Sequence, residues 1–237
     1  MSRLPEADVR KQLCLALDVA TVEEACAWVR RMTAHFGTFK IGLRLFCAQG
    51  PSVVDRVREA GAERVFLDLK LHDIPQTVAD AVSALTAAGP DLLTVHTAGG
   101  AEMMRRAQAA TEGRITLLGV TVLTSLDASD LSSTGCESSP LAVTLKRARL
   151  AVDAGLGGLV CSPEEVSAVR AELGELSRIL VTPGIRLSGG ELDDQRRVAT
   201  PREAVRAGAN LLVIGRPVLT ATRPEQVCED LFAELSA

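Results

Sequence analysis

The 237-residue sequence predicts an α/β protein with the fold of a single (β/α)8 TIM barrel, on three observations. Apolar, strand-like runs alternate with Ala-rich segments of helical period along the chain. There are eight such pairs, and polar residues follow several of the predicted strands. Strict alternation is typical of parallel strands joined by right-handed crossovers, and eight units are the number that closes this barrel. We therefore expect one barrel domain over residues 1–237.

The predicted elements follow one another without a long gap. The predicted strands are Leu13–Asp18, Phe39–Gly42, Arg64–Lys70, Leu92–His96, Ile115–Leu123, Gly158–Cys161, Ile179–Thr182 and Leu211–Gly215. The predicted helices are Val22–His35, Cys47–Ala60, Thr77–Ala88, Ala101–Ala110, Leu141–Ala154, Pro163–Leu173, Pro201–Ala207 and Pro224–Leu235. Gly61, Gly89 and Gly208 follow helix ends, where a left-handed glycine caps the last turn. A doubly wound open sheet is the alternative, but no Gly-x-Gly-x-x-Gly motif follows the first strand.

Composition and charge exclude several classes of function. A net charge of −4 gives no reason to expect nucleic acid as a partner, and five Phe, one Trp and no Tyr leave few rings to stack bases. The N-terminal residues lack the apolar core of a signal peptide, and no run has the length of a membrane span. The six cysteines form no Cys-x-x-Cys pair, so we expect buried free thiols in a reducing compartment. A soluble cytoplasmic protein is the expectation.

The most informative segment of the chain is Phe66–Val78, FLDLKLHDIPQTV, which places Asp68, Lys70 and Asp73 within six residues after an apolar run. Residues two apart in a strand point the same way, so Asp68 and Lys70 share one face. Opposite charges at the end of a buried strand cost several kcal/mol each to desolvate unless they are paired or used. Pro75 suits the first turn of the next helix. The alternative is a solvated turn that carries three charges.

Lysine usage favours chemistry over a solvated turn. Only four of the 26 basic residues are lysines, namely Lys11, Lys40, Lys70 and Lys146, and the rest are arginines. A chain with this bias is expected to keep Lys where a compact ammonium that can release a proton is needed. Lys40 and Lys70 both stand in apolar, strand-like runs, so we regard them as candidate catalytic residues.

Other polar residues stand at the edge of the predicted barrel where catalytic groups lie, the carboxyl ends of the strands. Asp18 ends the first predicted strand, Lys40 lies within the second, and His96 ends the fourth. Thr124 and Ser125 follow the fifth strand. These residues are expected to share one site with Asp68 and Lys70.

The segments after the seventh and eighth strands predict a phosphate site, because barrels commonly bind phosphate there. The first segment is Pro183-Gly184-Ile185-Arg186 and the second is Gly215-Arg216. Gly215 allows the backbone to approach an anion, and the two guanidinium groups can bind its oxygens as forks. The loop Leu187–Gln195 could fold over the ligand, with Gln195 contributing a contact. The alternatives are surface arginines and a disordered surface loop.

No metal site is predicted from the sequence. The histidines, His35, His72 and His96, lack the spacing of metal ligands and share no Asp/Glu cluster of the kind that binds zinc. His96 is interpreted as a hydrogen-bonded residue at the barrel mouth. Four aspartates are interpreted as loop or capping residues, namely Asp127, Asp130, Asp193 and Asp194.

The run Asp68–Val78 closely resembles the signature of the orotidine 5′-phosphate decarboxylase family. The resemblance continues along the chain in Leu17-Asp18, Phe39-Lys40-Ile41-Gly42, Val122-Leu123-Thr124-Ser125, Thr182-Pro183-Gly184-Ile185-Arg186, Asp194-Gln195-Arg196 and Ile214-Gly215-Arg216-Pro217. Each fragment is weak alone, but together and in order they are highly specific. Leu71 stands where Phe is usual and Gln76 where Asn is usual, and neither change touches the charged residues.

This resemblance implies a homodimeric barrel that converts orotidine 5′-phosphate to UMP and carbon dioxide, the last step of de novo UMP biosynthesis, without cofactor or metal. It implies that Lys40, Asp68, Lys70 and Asp73 form an alternating charge array, with Asp73 from the partner subunit and Lys70 protonating C6. The other implied substrate contacts are Asp18, Lys40 and Thr77 at the ribose, Ile74, Thr124 and Pro183 along the nucleotide, and Arg186, Gln195, Gly215 and Arg216 at the phosphate.

Two other functions are kept as alternatives. A metal-dependent sugar-phosphate decarboxylase or epimerase on a related barrel would share Asp-x-Lys-x-x-Asp, but such enzymes lack the Ile-Pro-x-Thr-Val continuation found here. A catalytically silent nucleotide-binding barrel would keep the phosphate site and lose the charges. Lys40, Asp68, Lys70 and Asp73 are all present in this chain, which disfavours the silent barrel.

Overall fold

A computed structural model describes residues 5–136, 138–174, 176, 178–186 and 199–236 of the chain. Its eight strands are all parallel and close into a barrel in chain order, with the last strand paired to the first. The strands are β1 (Leu13–Ala16), β2 (Thr38–Gly42), β3 (Arg64–Leu71), β4 (Leu92–His96), β5 (Thr116–Val120), β6 (Gly158–Val160), β7 (Ile179–Thr182) and β8 (Leu211–Ile214). The predicted (β/α)8 TIM barrel is confirmed.

Helices precede the first strand, connect the strands and follow the last one, and they form the outer layer. They are α1 (Glu6–Lys11), α2 (Val22–Met32), α3 (Leu43–Gln49), α4 (Val53–Glu59), α5 (Pro75–Ala87), α6 (Gly100–Ala110), α7 (Ala128–Ser133), α8 (Pro140–Asp153), α9 (Val166–Leu173), α10 (Pro201–Ala207), α11 (Arg216–Leu219) and α12 (Pro224–Ser236). A short 3-10 helix, Thr97–Gly99, precedes α6. None of the helices in the described ranges has both the length and the apolar character needed to cross a membrane.

The strands divide most of the core into two parts, because alternate residues of each strand point to opposite faces of the sheet. The barrel interior is a small cluster of buried side chains, formed by Cys14, Ala16, Phe66, Leu92, Leu118, Val181, Leu211 and Val213. The other face of the strands packs against the helices in a much larger apolar cluster. On β3, Phe66 points inward while Val65, Leu67 and Leu69 point outward, as the alternation predicts.

Several element boundaries differ from the sequence prediction. The single helix predicted over 47–60 is two helices, α3 and α4, because Gly50 takes a left-handed φ of 68° and Pro51 has no N–H to continue the first one. Strand β1 ends at Ala16, so Asp18 lies two residues beyond the strand rather than at its end. Strand β5 likewise ends at Val120 rather than residue 123. Helices α1, α7 and α11 were not expected from the sequence.

The turn residues behave largely as their types predict. Gly61, Gly89 and Gly208 all have positive φ after helix ends, which confirms their capping role. Asp127 caps the start of α7 and forms a reciprocal capping box with Asp130, as expected for capping aspartates. Asp193 and Asp194 lie outside the described residues.

The expectation of buried thiols is correct for four of the six cysteines. All six are free, and the buried ones are Cys14, Cys26, Cys161 and Cys228. Cys47 is exposed and Cys136 is partly buried, so the expectation is wrong for these two. Cys47 lies on α3, near its end, whereas the sequence predicted that one long helix would begin at this residue.

Candidate active site

The charged residues of the first three strands meet at the carboxyl end of the barrel. Lys40 on β2 is only 8% exposed and lies between two carboxylates. Its Nζ is 3.4 Å from Oδ1 of Asp18 and 3.5 Å from Oδ2 of Asp68. Lys70 is on the other side of Asp68, with its Nζ 2.9 Å from Oδ1 of that carboxylate. The result is a chain of alternating charges, Asp18, Lys40, Asp68 and Lys70.

The charges in this chain stabilise one another against burial. Burial alone would lower the pKa of Lys40, but attraction to Asp68 and Asp18 outweighs it, and the pKa of Lys40 is raised above its ordinary value. Burial alone would raise the pKa of Asp68, but Lys40 and Lys70 outweigh it, and its pKa is lowered. Lys40 and Asp68 are therefore both charged at neutral pH.

Lys70 has a backbone conformation that lysine rarely adopts. Its φ is +50°, one of two non-glycine residues with positive φ in the described part of the chain. The pairing of β3 with β4 also shifts here, because Leu67 pairs with Leu93 but Leu71 pairs with Val95. Such irregularities re-aim side chains next to functional sites. Here the register shift interrupts regular pairing at Lys70, whose side chain contacts Asp68.

A second group of predicted residues lies after β7 and β8. Pro183 and Arg186 follow β7, Gly215 follows β8, and Arg216 is the first residue of α11. A Cβ at position 215 would lie 3.4 Å from Cβ of Ala16 and 3.6 Å from Oδ2 of Asp18, so this turn lies against the end of β1 beside the charged residues. The N–H of Arg186 donates to the carbonyl of Ala199 at 3.0 Å, which joins the two ends of the segment 187–198. The guanidinium groups of Arg186 and Arg216 therefore lie at the barrel mouth, next to the ends of β7 and β8.

Both groups line a single cavity of about 210 Å³ at the barrel mouth. Nine of the predicted site residues line it, namely Asp18, Lys40, Asp68, Lys70, Thr124, Pro183, Arg186, Gly215 and Arg216. The sequence reasoning missed the apolar wall, which is formed by Ala16, Phe66, Val120, Val122, Leu123, Val160, Cys161, Val181 and Val213. The inward alternation of the strands could have identified most of this wall.

Four predicted site residues do not line this cavity. Asp73, Ile74 and Thr77 lie at and just before the start of α5, where all three are exposed. Ile74 is 67% exposed, and Asp73 accepts a hydrogen bond from the N–H of Ile74 at 2.6 Å. Gln195, with the loop Leu187–Gln195, lies outside the described residues. A single chain therefore brings nine of the predicted site residues to the cavity, and Asp73, Ile74 and Thr77 lie away from it.

Two histidines stack beside the cavity. The rings of His72 and His96 are 5.4 Å apart, and Nδ1 of His96 accepts the N–H of Ala98 at 3.2 Å, so His96 is hydrogen-bonded at the mouth as expected. Burial, aided by Arg147, His72 and Lys70, lowers the pKa of His96 to about 4. His96 is therefore neutral at pH 7. In the described part of the chain, no group of three or more His, Cys, Asp or Glu residues could hold a metal ion.

The cavity thus has two functional ends joined by an apolar wall. One end offers a buried cation and a second, more accessible ammonium on either side of a carboxylate. The other offers guanidinium groups and a glycine turn, which suit a phosphate. An anionic substrate with an apolar middle would fit such a cavity.

Comparison with known proteins identifies the family to which these features belong. A family model described as "Orotidine 5'-phosphate decarboxylase / HUMPS family" matches residues 11–231. The chain belongs to this family.

Two curated relatives carry the decarboxylase name. Orotidine 5′-phosphate decarboxylase of Anaeromyxobacter sp. (strain K) is 48% identical over 225 residues, covering 95% of this chain and 98% of its own. The protein of that name from Thermobifida fusca (strain YX) is 48% identical over 224 residues, covering 94% of this chain and 95% of its own. The crystal structure of orotidine 5′-phosphate decarboxylase from Lactobacillus acidophilus is 30% identical with a TM-score of 0.79, and the match covers 96% of this chain and 100% of that one.

Proposed function

We propose that this protein converts orotidine 5′-phosphate to UMP and carbon dioxide, the last step of de novo pyrimidine biosynthesis. The observation that carries the proposal is the chain of alternating charges, Asp18, Lys40, Asp68 and Lys70, inside a cavity whose far side holds Arg186 and Arg216. Membership of the family and relatives named for this decarboxylase over nearly their whole length support the same reaction. Because the described cysteines are free thiols, the proposed compartment is the cytoplasm.

The reaction needs a cation at the carbon that loses its carboxylate. Release of carbon dioxide leaves an electron pair on C6 of the pyrimidine, and no adjacent carbonyl delocalises it. A cation already fixed beside that carbon stabilises the developing charge without reorganisation. We assign this role to the ammonium of Lys70, which then transfers a proton to C6 and regains one from solvent. The C6–carboxyl bond is broken and a C6–H bond is formed, so no oxidant or reductant is required.

Asp68 has two proposed roles in this reaction. Its carboxylate accepts from Lys70 at 2.9 Å and lies 3.5 Å from Nζ of Lys40, so it fixes both ammonium groups. It also stands where the substrate carboxylate would approach Lys70. Repulsion between the two carboxylates would raise the energy of the bound substrate and be relieved as carbon dioxide leaves.

Binding energy from the phosphate is proposed to support the chemistry at C6. Arg186, Gly215 and Arg216 are assigned to the phosphate, and Gln195 is assigned to it from the family resemblance. Contacts to a non-reacting group can lower the barrier when they hold the reacting carbon against the catalytic cation. Asp18, Lys40 and Thr124 are assigned to the ribose and base, and Pro183 to the wall beside them.

We further propose that two copies of the chain share each active site. Asp73, Ile74 and Thr77 are exposed at the start of α5, although the family resemblance places them at the substrate. A 67% exposed isoleucine is costly in water, and burying such a side chain fully is worth roughly 1.5–3 kcal/mol. A second copy that covered Ile74 would bury it and bring Asp73 to the partner's charge array. The proposed partner is therefore a second copy of this chain.

Catalysis is expected to continue after exhaustive chelation, because Lys40 and Lys70 supply the positive charge that a metal would supply in the sugar-phosphate enzymes. The test follows the loss of orotidine 5′-phosphate absorbance with purified protein, with and without a chelator, and identifies UMP as the product. Full activity in both samples is the expected result. Activity that is lost on chelation and restored by magnesium would instead favour the metal-dependent sugar-phosphate reaction class.

Arg216→Ala should lower kcat/KM for the nucleotide while barely changing turnover of the unphosphorylated nucleoside. The lost charge-assisted contact should be worth roughly 1.5–3 kcal/mol, or about 10- to 150-fold. The matched control is Arg206→Ala, since Arg206 is an exposed arginine on α10 outside the cavity. Equal losses for nucleoside and nucleotide would show that Arg216 has a structural role and that the phosphate site is misassigned.

A further inference from the structure

The backbone of Lys70 is stabilised by a side chain that does not line the cavity. Thr94 lies in the middle of β4, fully buried. Its Oγ1 accepts the N–H of Lys70 at 2.8 Å and donates to Oδ1 of Asp68 at 3.1 Å. One hydroxyl therefore bridges the main chain of one candidate catalytic residue and the carboxylate of another.

The bridge closes a ring of contacts around Lys70. The carboxylate oxygen that accepts from Thr94, Oδ1 of Asp68, is the same one that lies 2.9 Å from Nζ of Lys70. The backbone N–H and the side-chain ammonium of one lysine are thus both tied to a single carboxylate oxygen, directly at one end and through Thr94 at the other. Moving the backbone of Lys70 would displace its ammonium from that oxygen.

The bridge occurs where the regular pairing of strands fails. Leu67 pairs with Leu93 and Leu71 pairs with Val95. Four residues along β3 therefore correspond to only two residues along β4. The bulge interrupts regular strand pairing at Lys70. The φ of +50° at this residue is unfavourable for a side chain with a Cβ, and such conformations persist only where surrounding structure holds them. The Thr94 hydroxyl supplies that support.

We propose that Thr94 is a positioning residue for decarboxylation. It holds Lys70 in its left-handed conformation and orients Asp68. These two contacts fix the position of the Lys70 ammonium beside the reacting carbon. This inference rests on the proposed function, because it assigns Thr94 a part in the same reaction. Thr94 does not line the cavity, so we expect its effect on kcat and not on binding of the phosphate or ribose.

The decisive variant is Thr94→Val, which keeps the size of the side chain and removes the hydroxyl. A misplacement of about 1 Å at a reacting group can cost about 100-fold in rate, so we expect kcat to fall by roughly 10- to 100-fold. KM and the affinity for UMP, measured by calorimetry, should change less than about threefold, because the ligand contacts remain. Thr94→Ser keeps the hydroxyl and should restore kcat to within a few-fold of wild type.

A matched control separates this role from the loss of any buried hydroxyl. Thr86 on α5 is also buried, and its hydroxyl donates to the carbonyl of Val82 in its own helix. Thr86→Val should leave kcat unchanged. If Thr94→Val does not fold, Thr94→Ala removes the same hydroxyl with less bulk and should show the same fall in kcat.

The outcomes distinguish this inference from the proposed function. Wild-type protein that does not decarboxylate orotidine 5′-phosphate would refute the proposed function itself. Active wild type together with a Thr94→Val variant of equal kcat would overturn only the role of Thr94. The role would also be overturned if Thr94→Ser were as slow as Thr94→Val, or if kcat and UMP affinity fell together in Thr94→Val.

Discussion

Replacing Lys70 with alanine should nearly abolish turnover of orotidine 5′-phosphate. The variant loses the fixed cation beside C6, an electrostatic contribution typically worth about 10²–10³ in rate, and the general acid that protonates that carbon, typically worth about 10²–10⁴. We therefore expect kcat to fall by at least about 10⁴-fold. The unphosphorylated nucleoside should suffer equally, because the lost interaction is made at the reacting carbon. Steady-state kinetics on both substrates measures this.

The control for this variant is Lys146→Ala, which removes an exposed lysine on α8. Lys146→Ala should retain wild-type activity. In Lys70→Ala, Asp68 keeps Lys40 as a partner, so the remaining carboxylate is not left without a cation and the fold should persist. A folded Lys70→Ala protein, checked by thermal unfolding, that keeps more than about a tenth of wild-type kcat would contradict the assignment of Lys70.

Mixing two inactive variants should recover activity if the active site is shared between subunits. Asp73→Ala is expected to be inactive because its carboxylate completes the partner's charge array. In a hybrid dimer of Lys70→Ala and Asp73→Ala, one site has both residues intact and the other lacks both. Random exchange in an equal mixture should therefore give roughly a quarter of wild-type activity per total site. The measurement is the decarboxylation rate after subunit exchange.

The exchange itself needs its own control. Wild-type subunits carrying two distinguishable labels should form mixed dimers under the same conditions. The double variant Lys70→Ala/Asp73→Ala mixed with Lys70→Ala should stay inactive, because no hybrid of these two carries an intact site. If Lys70→Ala and Asp73→Ala stay inactive together while labelled wild-type subunits exchange, Asp73 does not act across an interface.

The sequence was sufficient for the barrel and for the charged residues of the cavity because both depend on local patterns. Alternation along β3 places Phe66 inside and Asp68 on the same face, and the order of strands brings Asp18, Lys40 and Asp68 to one edge. Both follow from the period of two in a strand and from the shared direction of parallel strands. Helix and strand ends were less accurate, as the break at Gly50-Pro51 shows.

The conformation of Lys70 could not be predicted in the same way. Its positive φ and the bulge beside it depend on how β3 pairs with β4, and on a hydroxyl contributed by Thr94, 24 residues away in the chain. No short-range pattern near Lys70 encodes that contact. The sequence pattern of one chain also cannot place Asp73, Ile74 and Thr77 relative to a substrate, because these residues are proposed to contribute to the active site of a second copy.

Proton NMR of the reaction in deuterated water tests the central claim most directly. Purified protein is incubated with orotidine 5′-phosphate in D2O, UMP is quantified by proton NMR, and the released carbon dioxide is trapped and measured separately. We expect equal amounts of the two products and deuterium in place of hydrogen at C6 of every UMP molecule formed, because the ammonium of Lys70 exchanges its protons with solvent. Unchanged substrate, or UMP that carries hydrogen at C6, would contradict it.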